Sequence, residues 1–463
     1  MIAKQRQEAT VFHALIPIVS VVAALSYAVL VHEAAPHIPL IFGTIVAAIV
    51  AVAMLGIPWE ELEDGMRATL TATLQAILIL MVVGALIGLW ILSGTIPAMI
   101  YYGLQVLSPS IFLVATFIIC CIVSLATGTS WGTVGTVGIA LTGIGIGLDV
   151  PAGMVAGAVV SGAYFGDKLS PLSDTTNLAP AVSGSSLFPH VKHMLYTTLP
   201  AFGISAIIYA VLGLKFAGRT LDVERINVIL DALRTNFALS PWLLIPPLVV
   251  IGLIAMKAPA LPGLISGSVV GGLFAAIFQR ASIGDIIDAA HYGFSIESGV
   301  AAVDTLLNRG GLDKMMWTVS LIICALVFGG VLEKTGMLAA VGKKVFVAAK
   351  STGSLVLSTV LASVGTNILA ADQYLAIVLP GRLFKDEYAK RDLAPKNLSR
   401  ALEGSGTVTS ALIPWNTCGA FMAATLGVSP AVYLPFAFFN LLVPVINIIY
   451  GYTGFSMAKL KDE

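Results

Sequence analysis

The sequence predicts an all-α polytopic membrane protein of two inverted repeats, each built from three spans, a re-entrant hairpin, an interrupted span and one closing span. Three observations point there. Hydrophobic residues fill 57% of the 463 positions and charged residues only 11%, against roughly 25% charged in a water-soluble domain. No Asp, Glu, Lys or Arg occurs between Arg67 and Asp149, and one spanning helix takes about 20 apolar residues. The same succession of apolar runs then occurs twice, starting from opposite sides of the membrane.

The run 12–31 opens the chain. The stretch MIAKQRQEAT before it lacks the cleavage pattern of a signal peptide, so the run is read as a retained helix. Runs 38–57 and 72–92 follow. The stretch 110–148 lies between uncharged loops at 93–110 and Asp149-Val150-Pro151, with Gly128-Thr129-Ser130 near its middle. It reads as a hairpin entering from outside, and its length also suffices for two short full spans. An interrupted span at 151–189 and a span at 194–214 complete the first repeat, residues 1–237.

The second repeat, residues 238–463, gives spans at 240–256, 259–279 and 315–332, then an apolar stretch at 351–381. Lys334, Lys343, Lys344 and Lys350 precede that stretch; Arg382, Lys385, Lys390, Arg391, Lys396 and Arg400 follow it. Both clusters belong on the cytoplasmic side, and the stretch between them is too short to cross twice. It therefore reads as a hairpin entering from the cytoplasm, with Gly365-Thr366-Asn367 near its tip. An interrupted span at 401–427 and a span at 430–450 end the chain. With both termini cytoplasmic, most Lys and Arg fall in cytoplasmic segments, as the positive-inside rule asks. The charged segments 215–235 and 280–314 lie between these runs. Within the first, Asp222 to Leu233 carries apolar residues at helical spacing and reads as an interfacial or loop helix.

Local sequence repeats the pattern. Gly-Thr-Ser at 128–130 answers Gly-Thr-Asn at 365–367, and Asp-Thr-Thr-Asn at 174–177 answers Trp-Asn-Thr at 415–417. Inverted repeats with broken helices are the architecture of secondary transporters, whose site lies near the bilayer midplane.

Polar residues at membrane depth mark that site. The stretch GDKLSPLSDTTNLAP, 166–180, puts two carboxylates, an ammonium, several hydroxyls, an amide and two prolines inside a span. A charge at the bilayer centre costs from about 3 to more than 10 kcal/mol, so such a stretch lines a cavity or holds an ion. Pro171 and Pro180 free backbone carbonyls, which add to the hard oxygens that an alkali cation prefers. Asp174 is the preferred ion-binding and proton-exchanging carboxylate, with Asp167 second because the neighbouring Lys168 neutralises it. One carboxylate that takes Na+ when ionised and H+ when neutral suffices for exchange. Thr129 and Ser130 at the first hairpin tip, with Thr175, Thr176 and Asn177, supply oxygens. Na+ is expected at Asp174, Thr129, Ser130 and Asn177. Thr366, Asn367, Asn416 and Thr417 form the pseudo-symmetric half. Asp372 has two readings of equal weight, a second titrating group or a rim charge.

Other features exclude other functions. Twenty-five basic against 25 acidic residues give no footprint for nucleic acid. The run Gly128 to Gly135 lacks the GKT or GKS ending of a nucleotide loop. His32 and His37 are five apart with Pro36 between them, so they do not share a helical face as zinc ligands do. HExxH does not occur, and no catalytic residue is expected. Cys120, Cys121, Cys324 and Cys418 sit in apolar runs without a CxxC pair and read as small buried hydrophobes. His190 and His193 read as a helix end, and Glu297 and Asp304 receive no role.

At these motifs the chain resembles a known family. GTSWGTVGTVGIAL, SGAYFGDKLSPLSDTTNLAPAVSG, ADQYLAIVLPGRLFKDEY and PKNLSRALEGSGTVTSALIPWNTCGA are similar to the NhaC family of sodium/proton antiporters, and the similarity extends over nearly the whole chain. The resemblance implies a homodimer in the bacterial inner membrane, a scaffold domain, and a mobile transport domain of two hairpins and two broken helices moving like an elevator. It implies Na+/H+ exchange with no resident cofactor. It also leaves open an exchange of malate and protons for lactate and Na+, for which Lys168 is the candidate partner of an organic acid. No arginine lies within a predicted span, although Arg is the usual partner for a carboxylate; this favours simple cation exchange.

Overall fold

The computed structural model describes residues 6–32, 34–216, 223–347 and 350–460. Glu33 and Asp222, and the side chains of Lys343 and Lys344, lie outside the described residues. The described chain is helical apart from turns and one isolated bridge between Leu393 and Lys459. Eight helices are long and apolar enough to cross a membrane, or up to ten when each of two sharply bent pairs counts as one span. The chain is a multi-pass membrane protein.

The first three spans are Val11–His32, His37–Leu55 and Trp59–Leu92. The last begins well before the expected 72, because Trp59 to Arg67 carries Glu60 and Glu61 in its first turn, where the helix dipole favours them. The uncharged stretch expected as loop at 93–110 instead holds the helix Thr95–Val106.

The first hairpin pairs Pro109–Thr127 with a returning arm made of Ser130–Thr133, a π-helical turn Val134–Gly138, and Ile139–Gly147. The first broken helix follows as Ala152–Leu169 and Asp174–Ser183, and Leu187–Leu214 closes this half. Helix Val223–Asn236 takes up the segment expected as an interfacial or loop helix.

The second half brings Pro241–Ala255, bent by 98° against Ile226–Asn236, and Ala260–Phe278. Leu312–Lys334 is next, then the short Met337–Val347. The second hairpin pairs Thr352–Ala370 with Gln373–Lys390. Its returning arm runs nine residues beyond the expected 381, since Arg382, Lys385, Asp386 and Glu387 end the apolar run without ending the helix; charged residues with long stems are good helix formers. The second broken helix is Pro395–Leu402, a π-helical turn Glu403–Thr407 and Val408–Ser410, then Thr417–Leu426. Phe438–Thr453 closes the chain. Long helix, short helix, hairpin, broken helix and closing helix thus occur twice in the same order.

One correction concerns the second hairpin's turn. Gly365, Thr366 and Asn367 lie inside Thr352–Ala370, and the chain reverses at Ala371-Asp372.

Small residues set how closely the elements meet. Trp59–Leu92 and Leu312–Lys334 pack along each other, and the Gly311 amide donates to the Gly84 carbonyl at 2.6 Å. A Cβ on Gly84 would stand 2.6 Å from the Gly311 carbonyl oxygen. Trp90 Nε1 reaches the Gly267 carbonyl at 3.0 Å, fixing Ala260–Phe278 on the same frame. Asp304, given no role from the sequence, accepts from the Ser298 amide at 2.8 Å and hydroxyl at 2.6 Å, closing the turn before Ala301–Leu307.

Candidate functional site

Each hairpin tip has the same local construction. At the first, Gly128 takes φ +71° and ends the incoming helix; Thr129 is extended and its hydroxyl accepts from the Gly132 amide at 3.2 Å. At the second, Ala371 takes φ +57°, and the Asp372 carboxylate accepts from the Leu375 amide at 3.0 Å. A left-handed residue stops a helix, and a Thr or Asp N-cap starts the next by filling an orphan amide. Thr129 therefore corresponds to Asp372, Ser130 to Gln373 and Trp131 to Tyr374.

The breaks follow from proline. Pro171 has no amide proton and turns the preceding residue away from helical geometry, so the first broken helix stops at Leu169 and restarts at Asp174. The freed carbonyls find side chains: Asn177 Nδ2 donates to the carbonyls of Pro171 at 2.9 Å and Ser173 at 2.7 Å, and Thr176 Oγ1 to those of Asp167 and Lys168, both at 3.0 Å. At the second break, around Pro414, Asn416 caps Thr417–Leu426 and donates to the Asn367 carbonyl at 3.1 Å. Asn367 in turn donates to the Gly406 carbonyl at 2.6 Å and to Thr409 Oγ1 at 3.1 Å. The Thr417 amide reaches the Ala371 carbonyl at the opposite tip, 3.0 Å away.

Both tips and both breaks open onto one cavity of about 1050 Å³. Thr129, Ser130, Asp167, Asp174, Thr175 and Thr417 line it, all of them expected from the sequence. Ser130 Oγ donates to Asp167 Oδ2 at 2.6 Å. Asp167 is buried, whereas Asp174 at the start of its half-helix is exposed to the cavity. Asp372, Gln373, Tyr374, Glu333, Lys257 and Lys334 also stand on the polar wall.

The other expected residues lie elsewhere. Thr176, Asn177, Asn367 and Asn416 spend their side chains on the breaks. Thr366 Oγ1 donates to the Ala362 carbonyl within its own helix, at 2.8 Å. Lys168 is fully buried, off the cavity wall, with its ammonium 3.3 Å from Met194 Sδ.

Sequence reasoning missed two groups. Glu403 is fully buried in the second broken helix, and Thr175 Oγ1 donates to its Oε1 at 3.0 Å. The signal was present: Glu403 is the one charged residue between Arg400 and Lys459. Arg400, one position before the expected interrupted span, lies in Pro395–Leu402 and is 1% exposed. Its Nη1 donates to the Ser456 carbonyl at 3.2 Å and hydroxyl at 2.6 Å, so it fastens the C-terminal segment and does not face the cavity.

Comparison with known proteins identifies a family. The model of the Na+/H+ antiporter family matches residues 162–455. The chain is 41% identical over 454 residues, 98% of both chains, to the Na(+)/H(+) antiporter NhaC of Alkalihalophilus pseudofirmus. It is 44% identical to the malate-2H(+)/Na(+)-lactate antiporter of Bacillus subtilis, over 86% of each. Against the arginine/ornithine antiporter ArcD of Halobacterium salinarum it is 38% identical, over 97% of this chain and 93% of that one.

Proposed function

We propose, from the premise that the chain belongs to the Na+/H+ antiporter family, that it exchanges Na+ for H+ across the bacterial cytoplasmic membrane. As a member of an antiporter family it is a transporter and not an enzyme. The observation that carries the exchange reading is the oxygen set at the first tip and first break: Thr129, Ser130, Asp167, Asp174 and Thr175 face one cavity. Hard hydroxyl and carboxylate oxygens suit an alkali cation. Four carboxylates on the wall, Asp167, Asp174, Glu333 and Asp372, against Lys257 and Lys334 bias it towards positive charge.

In this reading Na+ sits between Asp167 and Asp174 with the hydroxyls of Thr129 and Ser130, while Thr176, Asn177, Asn367 and Asn416 keep the breaks open. Thr417 supplies the second half's contribution. The two hairpins and two broken helices move together as the transport domain, against a scaffold that includes Trp59–Leu92 and Leu312–Lys334. The two halves are inserted in opposite senses with both termini cytoplasmic, which the basic clusters around the second hairpin support. Two copies form the working dimer.

A second reading has its own support. The cavity is far larger than one cation needs and is of the size that holds small organic molecules, and the malate/lactate antiporter is as similar as the Na+/H+ antiporters. Proteoliposomes holding a pH-sensitive dye separate the two. With a proton gradient imposed, Na+ alone collapses it under simple exchange. Under the organic-acid reading the gradient holds until malate or lactate is added.

A further inference from the structure

We propose that Glu403 carries the exchanged proton, at a place separate from the carboxylates that hold Na+. The inference rests on the exchange reading above and deepens it, by dividing the work that one carboxylate was expected to do alone.

Glu403 belongs to the second broken helix and touches the cavity only through the first. Thr175 lines the cavity and donates to Glu403 Oε1 at 3.0 Å; Ser173, also on the cavity wall, shares a hydrogen bond of 3.1 Å with the Thr175 hydroxyl. Ser173, Thr175 and Glu403 thus form a hydroxyl chain from the cavity to a fully buried carboxylate. Its other oxygen, Oε2, is buried beside the Thr407 hydroxyl. The helix is π-helical over Glu403–Thr407, a distortion that recurs at functional sites.

The surrounding charges give the coupling. Facing Glu403 from the first broken helix are Lys168, fully buried, and Asp167. Asp174 opens the half-helix that carries Thr175. Thr352–Ala370 and Phe438–Thr453, which also pack on this turn, contain no Asp, Glu, Lys, Arg or His. The arm Gln373–Lys390 offers Tyr374 near the tip and bears its charged side chains from Arg382 onward. On its own helix Arg400 is 1% exposed and keeps its charge, since its partner Ser456 is neutral. Asp167, Lys168, Arg400 and Glu403 therefore bring two carboxylates and two cations together at low exposure. Charges are poorly screened there, so Na+ beside Asp167 and a proton on Glu403, two like charges, disfavour each other. In the discharge step the Glu403 carboxyl proton passes to the Thr175 oxygen while the Thr175 hydroxyl proton leaves through Ser173 to the cavity, so one proton exits and one carboxylate remains.

The test is Na+ binding to purified protein in weakly buffered solution, with bound Na+ and released protons read together. Wild type is expected to release protons as it binds Na+, with an apparent Na+ affinity that weakens as pH falls. Glu403→Gln keeps an acceptor for Thr175 and is expected to bind Na+ with proton release cut several-fold and an affinity nearly independent of pH. If that variant does not reach the membrane because Lys168 loses its counter-charge, the paired K168M/E403Q variant carries the same expectation, and E403D is expected to restore release. Proton release at the wild-type ratio in E403Q overturns the proposal, and so does loss of Na+ binding, which would make Glu403 a ligand. Failure of the wild type itself to bind Na+ overturns the exchange reading instead.

Discussion

The hydroxyl of Ser130 donates to Asp167 Oδ2 at 2.6 Å, tying the tip of the first hairpin to the last turn before the first break. The two residues are 37 positions apart and lie on elements that meet again at Gly128, where a Cβ would stand 3.1 Å from the Ser173 amide. Tip and break are therefore one unit. A hydrogen bond to a charged group contributes about 1.5–3 kcal/mol, so Ser130→Ala is expected to weaken apparent Na+ affinity by roughly ten-fold or more. Na+-concentration dependence of dye-reported proton flux checks this. An unchanged half-saturation would place the ion away from Ser130.

Asp174 opens the half-helix on the cavity side of the break, where a carboxylate meets both the cavity and the helix dipole. Asp174→Asn is expected to abolish Na+-dependent proton flux while the protein keeps its elution profile and its thermal transition in detergent. Retained flux would remove this side chain from the exchange.

Asn367 and Asn416 hold the second break to the second hairpin through their amides. Asn367→Ala leaves the Gly406 carbonyl and the Asn416 amide short of partners in a buried place, at a cost on the order of 1–3 kcal/mol. The expected result is a lowered thermal midpoint as well as reduced transport. A normal midpoint with lost transport would instead assign Asn367 a direct part in handling the ion.

Gly84 and Gly311 meet at a carbonyl–amide contact on which no side chain fits. Gly84→Val is expected to lower stability and membrane yield sharply. Gly252→Ala, with nothing within 4 Å of the added carbon, is expected to be neutral or to stabilise by about 0.5–1 kcal/mol. Thermal unfolding of the two variants side by side compares close packing with bare helix propensity, and equal midpoints would contradict the packing account.

The first half of the site was legible in the sequence because its signals are loud: Pro171 breaks the helix, and Asp167, Asp174, Thr175 and Asn177 are too polar for any span that does not line a cavity. The second half was quieter. Its turn uses Ala371 at a left-handed φ, a conformation that costs an L-residue roughly 1–2 kcal/mol and that sequence reasoning assigns to glycine. Gly365 drew the tip six residues early, although it sits in mid-helix with open space around it. Thr129 and Asp372 match as caps, not as letters, so no local echo aligned them. Glu403 is set among Gly404, Ser405 and Gly406, and its setting comes from residues of the other half, Thr175 above all. Such long-range pairings carry no local pattern.

The most direct test of the account is isotopic Na+ binding to the purified protein, comparing wild type with the Asp167→Asn/Asp174→Asn double variant. Saturable binding in the wild type, lost in a double variant that still folds, is expected if the first tip and first break hold the ion. Wild-type binding in the double variant would contradict the account.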